Sequence, residues 1–93
     1  MLLAQLLEAT PEPPAPDDEP LEVLEAAQRL VRARAPLLEA LKAVEGNLAQ
    51  DPECQRLTSE IVARDTRWEA ALVCARRRVA SRLASLHARH ARF

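Results

Sequence analysis

One glycine, one tryptophan, one phenylalanine and no tyrosine occur in these 93 residues. With so little glycine the chain has no Gly-rich loop to cradle a phosphate. The scarcity of aromatics removes any stacking platform for bases, and a core must be built from Leu, Val and Ala. Few β-branched residues argue against a sheet. The two cysteines, Cys54 and Cys74, would lie about 30 Å apart on one helix, too far to bridge each other. They read as reduced, small apolar residues, which suits a cytoplasmic protein. Cys54 follows Pro52 closely, in a first helical turn where a thiolate is favoured.

Other signals are missing as well. The start, Met1-Leu-Leu-Ala-Gln-Leu-Leu-Glu-Ala, lacks a basic segment and is short, so it reads as neither a signal peptide nor a membrane span. No nucleophile elbow or His-bearing metalloprotease motif occurs, and the glutamates fall on solvated faces. The chain is therefore expected to be no enzyme and to carry no cofactor. His87 and His90 could share a helical face, but no Cys or acid lies near them in the sequence. They read as solvated residues at a helix end rather than as metal ligands.

What is present is helical pattern. After Pro52 the chain has neither Gly nor Pro, and Leu57, Ile61, Asp65, Trp68, Leu72, Ala75, Val79, Leu83 and Leu86 recur at steps of three and four. Such spacing lays one stripe along an α-helix, and a helix over 52–92 would be roughly 60 Å long. Asp51-Pro52-Glu53 is its start: an N-cap acid, a proline at the first position and an acid in the first turn. An earlier helix opens near Asp18 to Leu21, with the stripe Leu21, Leu24, Ala27, Val31, Ala35, Leu38, Leu41 and Val44. Pro36 interrupts it without shifting the stripe, which favours one kinked helix over two. Gly46-Asn47 ends it. A short connection then implies an antiparallel hairpin.

Three parts follow from this pass. Residues 1–9 are a short amphipathic segment with Leu2, Leu3, Leu6 and Leu7 on one face, too short to be helical alone. Residues 10–20 hold five prolines and four acids and read as a solvated, extended linker. Residues 21–93 form the hairpin domain. The fold class is all-α: a hairpin with its first helix kinked at Pro36, a long second helix and a tethered N-terminal helical segment.

Charge is segregated along the chain. Residues 1–53 carry eleven acids and four bases, a net of −7, whereas residues 54–93 carry nine arginines and three acids, a net of +6. Arg76, Arg77, Arg78 and Arg82, with Arg89 and Arg92, look at first like a nucleic-acid patch. An antiparallel hairpin sets them instead opposite Asp17, Asp18, Glu19, Glu22 and Glu25, and cations also favour a helix C-terminus. No nucleic-acid partner is expected. Asp65, on the apolar stripe, can pair with an arginine such as Arg34 or angle to water. Trp68 serves either as a core anchor or as a partner hot spot.

The second helix outruns the first, leaving residues 80–93 unpaired. Its apolar stripe must be covered by the N-terminal leucines, a second subunit or a client protein. Trp68, Leu72, Val79, Leu83, Leu86 and Phe93 are the candidate partner-binding residues, and Arg76, Arg77, Arg78 and Arg82 would steer an acidic partner. Leu2, Leu3, Leu6 and Leu7 would act as an internal competitor for the same groove.

Arg34, Leu37-Leu-Glu-Ala-Leu41, Leu57, Glu60-Ile61, Asp65, Trp68, Leu72, Arg78, Leu83 and Leu86 resemble the small flagellar type III export chaperones of the FliT/FlgN type. The resemblance covers residues 29–88; Pro36 and the acidic proline-rich leader depart from it. It implies a cytoplasmic chaperone that holds the helical C-terminal region of an export substrate. The competing reading is a structural coiled-coil subunit of a homodimer or larger complex.

Overall fold

A computed structural model describes residues 1–15, 17–44 and 51–91. Among them are three helices and no strand: α1 (Leu2–Glu8), α2 (Pro20–Lys42) and α3 (Pro52–Ala91). The predicted ending at Gly46-Asn47 and the connection that follows lie outside the described residues. The molecule is a rod of 64 × 20 × 16 Å. Its radius of gyration is 17.9 Å, against roughly 12 Å for a compact chain of this length.

Local chemistry sets the helix ends. Asp51 accepts a hydrogen bond at Oδ1 from the Glu53 backbone N–H at 2.9 Å, and its carbonyl accepts from Gln55. The first turn of α3 is thus closed by the expected N-cap, with Pro52 supplying no orphan donor. Pro20 likewise stands at the start of α2, behind Glu19, whose carbonyl accepts from the Val23 N–H but whose side chain makes no cap hydrogen bond. The helix then runs through Pro36 without a break. Pro36 is exposed, so its ring meets no neighbouring element. In α1, too short to persist alone, Leu3 and Leu6 are buried. The Thr10 hydroxyl, itself fully buried, donates to the Leu6 carbonyl at 2.7 Å and helps close the last turn.

Two buried clusters hold the rod together. In the first, Leu3 and Leu6 of α1 pack on Cys54, Leu57 and Ile61 of α3, with Leu37 and Leu41 of α2 beside them. In the second, Trp68 of α3 packs on Ala27 and Leu30 of α2, with Leu72 at its edge. Arg34 makes a two-pronged pair with Asp65 between these clusters, at 2.6 and 3.2 Å. Glu19, just before α2, reaches Arg82 far along α3.

The packing corrects two sequence expectations. The face that α2 buries is Pro20, Val23, Ala27 and Leu30, continued by half-buried Leu37 and Leu41. Leu21, Val31, Leu38 and Val44, placed on the core stripe by periodicity, are exposed. The predicted stripe shares Ala27 and Leu41 with the buried face. Leu21, Leu24, Val31 and Leu38, however, each lie one residue past a core position, about 100° round the helix, and the small Ala27 lets Trp68 approach α2. The second correction concerns α1. It docks beside the start of α3, not on the overhang, because its leucines meet Cys54, Leu57 and Ile61 there.

These assignments can be checked by paired substitutions. Leu30→Ala should lower stability by about 2–3 kcal/mol through a cavity beside Trp68. Val31→Ala should change it by no more than about 0.5 kcal/mol. Denaturant unfolding of both variants reads the difference, and equal effects would place the core on the wrong face of α2.

Candidate protein-binding surface

The acidic linker is largely exposed but it is not free. Residues 10–15 and 17–19, the strap, lie along α3 and are held there by its side chains. Arg64, half-buried, donates from Nη1 to the Thr10 carbonyl at 2.9 Å, and its Nε bonds Glu60 at 3.1 Å. Arg67 forks onto Glu12 at 2.7 and 2.5 Å. The Trp68 indole N–H donates to the Pro11 carbonyl at 2.7 Å. Further along, Arg78 donates to the Asp18 carbonyl, and Arg82 forks onto Glu19 at 2.5 and 3.2 Å. The strap turns once, where the Asp18 N–H bonds the Ala15 carbonyl and the Asp18 carboxylate accepts from the Ala15 N–H.

Electrostatics follow from these forks. The Arg67 guanidinium holds the Glu12 carboxyl below its ordinary value, and Arg82 does the same for Glu19. Both acids are solvent-exposed, so each pair is screened by salt and stabilises modestly. Cys54 is buried as a small apolar residue, and only the first-turn thiolate reading is opposed. Burial under α1 pushes its thiol pKa up, and nearby Asp51 adds to the effect. A first-turn thiolate is therefore disfavoured here, because desolvation and a neighbouring carboxylate outweigh the helix dipole.

The candidate residues separate into four groups. Trp68 is 4% exposed and spends its contacts within the chain. Leu72 and Val79 are half-buried, while Leu83 and Leu86 are 53% and 50% exposed; Phe93 lies outside the described residues. Arg78 and Arg82 hold the strap, whereas Arg76 and Arg77 are exposed with no ion pair among the described residues. Leu3 and Leu6 are buried, and Leu2 and Leu7 half-buried, at the end of the rod opposite Leu86. Glu22 and Glu25, expected to face the arginines, are exposed.

Two features of the surface were missed by sequence reasoning. One is the clamp of Arg64, Arg67 and Glu12; the segregation of acids before residue 54 and arginines after it was the available signal. The other is an open groove on the flank of α2 away from the strap. Leu24, Gln28 and Val31 line it from α2, with Leu72 and Arg76 from α3. Val79, Leu83 and Leu86 extend the Leu72 row beyond the start of α2, and residues 83–90 are all exposed. Among the described residues no helix is long and apolar enough to cross a membrane, and no group of three His, Cys, Asp or Glu could hold a metal.

Acid should release the strap. Glu12 and Glu19 have folded pKa values below 4.5, so their stabilisation is complete above that pH and is lost as pH falls through the lowered values. Emission of Trp68, the single tryptophan, should stay constant from neutral pH down to about 4.5 and shift to the red only below it. A shift that begins near pH 6 would contradict the assignment. Thiol titration of the folded chain should modify half-buried Cys74 readily and buried Cys54 only after denaturation. Compared with models of known protein families, with curated proteins and with solved structures, the chain matches none.

Proposed function

We propose that the chain is a non-enzymatic, protein-binding chaperone or adaptor built on a helical hairpin, holding a helical segment of a client in the open groove. The observation that carries this reading is the apolar row that begins at half-buried Leu72 and Val79, with Leu24 and Val31 of α2 lining the groove beside Leu72, and continues to exposed Leu83 and Leu86. An amphipathic helix laid against these rows would bury anchors spaced at three and four residues. The surface area agrees with an unfilled face: 6802 Å² is accessible, whereas a compact monomer of this mass exposes roughly 5400 Å². Arg76 at the groove, exposed and with no ion pair among the described residues, favours a client with an acidic flank.

The resemblance to flagellar export chaperones suggests the client class. In that reading the groove takes the C-terminal helical region of a filament-cap or hook-associated export substrate, keeps it from assembling early and works in the cytoplasm. The N-terminal leucines do not occupy this groove, so no leucine displacement is needed before the client binds.

A second reading has its own observation. Leu21, Leu24, Gln28, Val31, Ala35 and Leu38 follow coiled-coil spacing on the exposed side of α2, and a second copy could cover both rows as a structural homodimer.

Calorimetry with peptides from the C-terminal regions of such export substrates tests the first reading. Saturable binding at micromolar concentration, lost in the Leu83→Asp/Leu86→Asp variant, is the expected outcome. No binding by any of them would remove the chaperone assignment. Light-scattering mass separates the second reading: a monomer that gains only the peptide's mass supports the client, and a constant dimer indifferent to peptide supports the structural subunit.

A further inference from the structure

The strap side of α3 is an organised array, and the proposed client groove does not use it. Ala26, Arg29, Leu30 and Ala33 border the strap from one flank of α2. Leu24, Gln28, Val31 and Arg32 line the open groove on the other. We propose that Arg64, Arg67, Trp68, Arg78 and Arg82 form a recognition site for acidic, proline-rich segments, filled in cis by the strap and open to a segment of the same chemistry from another protein chain.

The match is one of donors to acceptors. Arginine and tryptophan side chains only donate hydrogen bonds. A proline-rich segment has few backbone N–H groups, so its carbonyls and carboxylates are nearly all it offers. Three of the five side chains take carbonyls, those of Thr10, Pro11 and Asp18, and two fork onto carboxylates, those of Glu12 and Glu19. The carbonyl contacts read any extended segment, and the forks add a demand for acids at a set separation. Prolines stiffen such a segment before it binds, which reduces the entropy lost on docking.

The dimensions agree. From Arg64 to Arg82 the axis of α3 advances by about 27 Å at 1.5 Å per residue. Residues 10 to 19 would span about 28 Å at the 3.1 Å rise of an extended proline-rich chain. The turn at Ala15–Asp18 shortens that path, and the long arginine side chains make up the difference.

Exchange would begin at the acid forks, because these contacts of the cis occupant are exposed, unlike the buried ones at Thr10 and Trp68. Glu12 and Glu19 are 56% and 43% exposed in their pairs with Arg67 and Arg82, and ion pairs so open to water are screened and hold weakly. What the cis strap has is proximity: a tethered segment competes as though present at millimolar concentration. Weakening its acids therefore favours a segment supplied in trans.

The test uses the full chain and a fluorescein-labelled peptide with the sequence of residues 9–20. In the Glu12→Arg/Glu19→Arg variant, anisotropy should show saturable binding below 1 mM, at least tenfold tighter than to the unaltered chain and weakening as salt rises. Adding Trp68→Phe, which keeps an aromatic ring but removes the indole donor, should weaken peptide binding several-fold. Adding Leu83→Asp/Leu86→Asp should leave it unchanged, so this site and the client groove fail separately. Should the double reversal lose helical circular dichroism, Glu12→Gln takes its place with the same readout. Absence of saturable binding, equal binding to altered and unaltered chains, or loss of binding with the Leu83/Leu86 change would each overturn the proposal.

Discussion

The contact of Trp68 with three segments at once is the point on which the rest of the rod depends. Its ring covers Ala27 and Leu30 of α2, and its indole N–H is satisfied by the Pro11 carbonyl. Buried indoles need such a partner, so the place that closes the α2–α3 contact also anchors the strap. The strap in turn fixes where α1 can land, because only Ala9 and Thr10 separate the end of α1 from Pro11. With α1 tied there, Leu3 and Leu6 reach Cys54, Leu57 and Ile61. One ring thus organises both clusters, which suits a chain with too little aromatic content to build two independent cores.

The consequences for function are spatial. Since the strap and α1 occupy one side and one end of the rod, they leave the opposite flank of α2 and the far end of α3 uncovered. Arginines are divided accordingly. Arg64, Arg67, Arg78 and Arg82 bind the chain's own backbone and acids, while Arg76 borders the open groove and exposed Arg77 lies on another face of α3 beside Val73 and Cys74. A stretch that reads in the sequence as one basic patch is therefore two surfaces with different partners.

Much of α3 was legible. Its N-cap at Asp51, its length and the core positions Leu57, Ile61, Trp68 and Ala75 follow from local signals. A charge on the apolar stripe marked Asp65 for either a pair with an arginine such as Arg34 or an outward angle, of which the pair forms. The rotation of α2 was not legible. Two rows one residue apart both carry helical spacing, and the more hydrophobic one, with Leu21, Val31 and Leu38, is the one left exposed. Hydrophobicity ranks residues singly, whereas packing selects the face on which small Ala27 admits Trp68 and Arg34 meets Asp65. The linker misled for a related reason. Proline and acid together describe a segment unable to fold by itself, and nothing local reveals that arginines more than fifty residues away accept it.

The sequence by itself determined the two long helices, where each of them opens, the absence of a sheet in its pattern and the division of charge between the two parts of the chain. Those features rest on neighbours three or four residues apart, whose geometry is the same in any helix. Tertiary structure alone decided which face of α2 is buried, where the leucines of α1 dock, that the strap is clamped and that Trp68 is an internal anchor. Each of those depends on which surfaces compete successfully for one another, a comparison between distant segments that no local spacing contains.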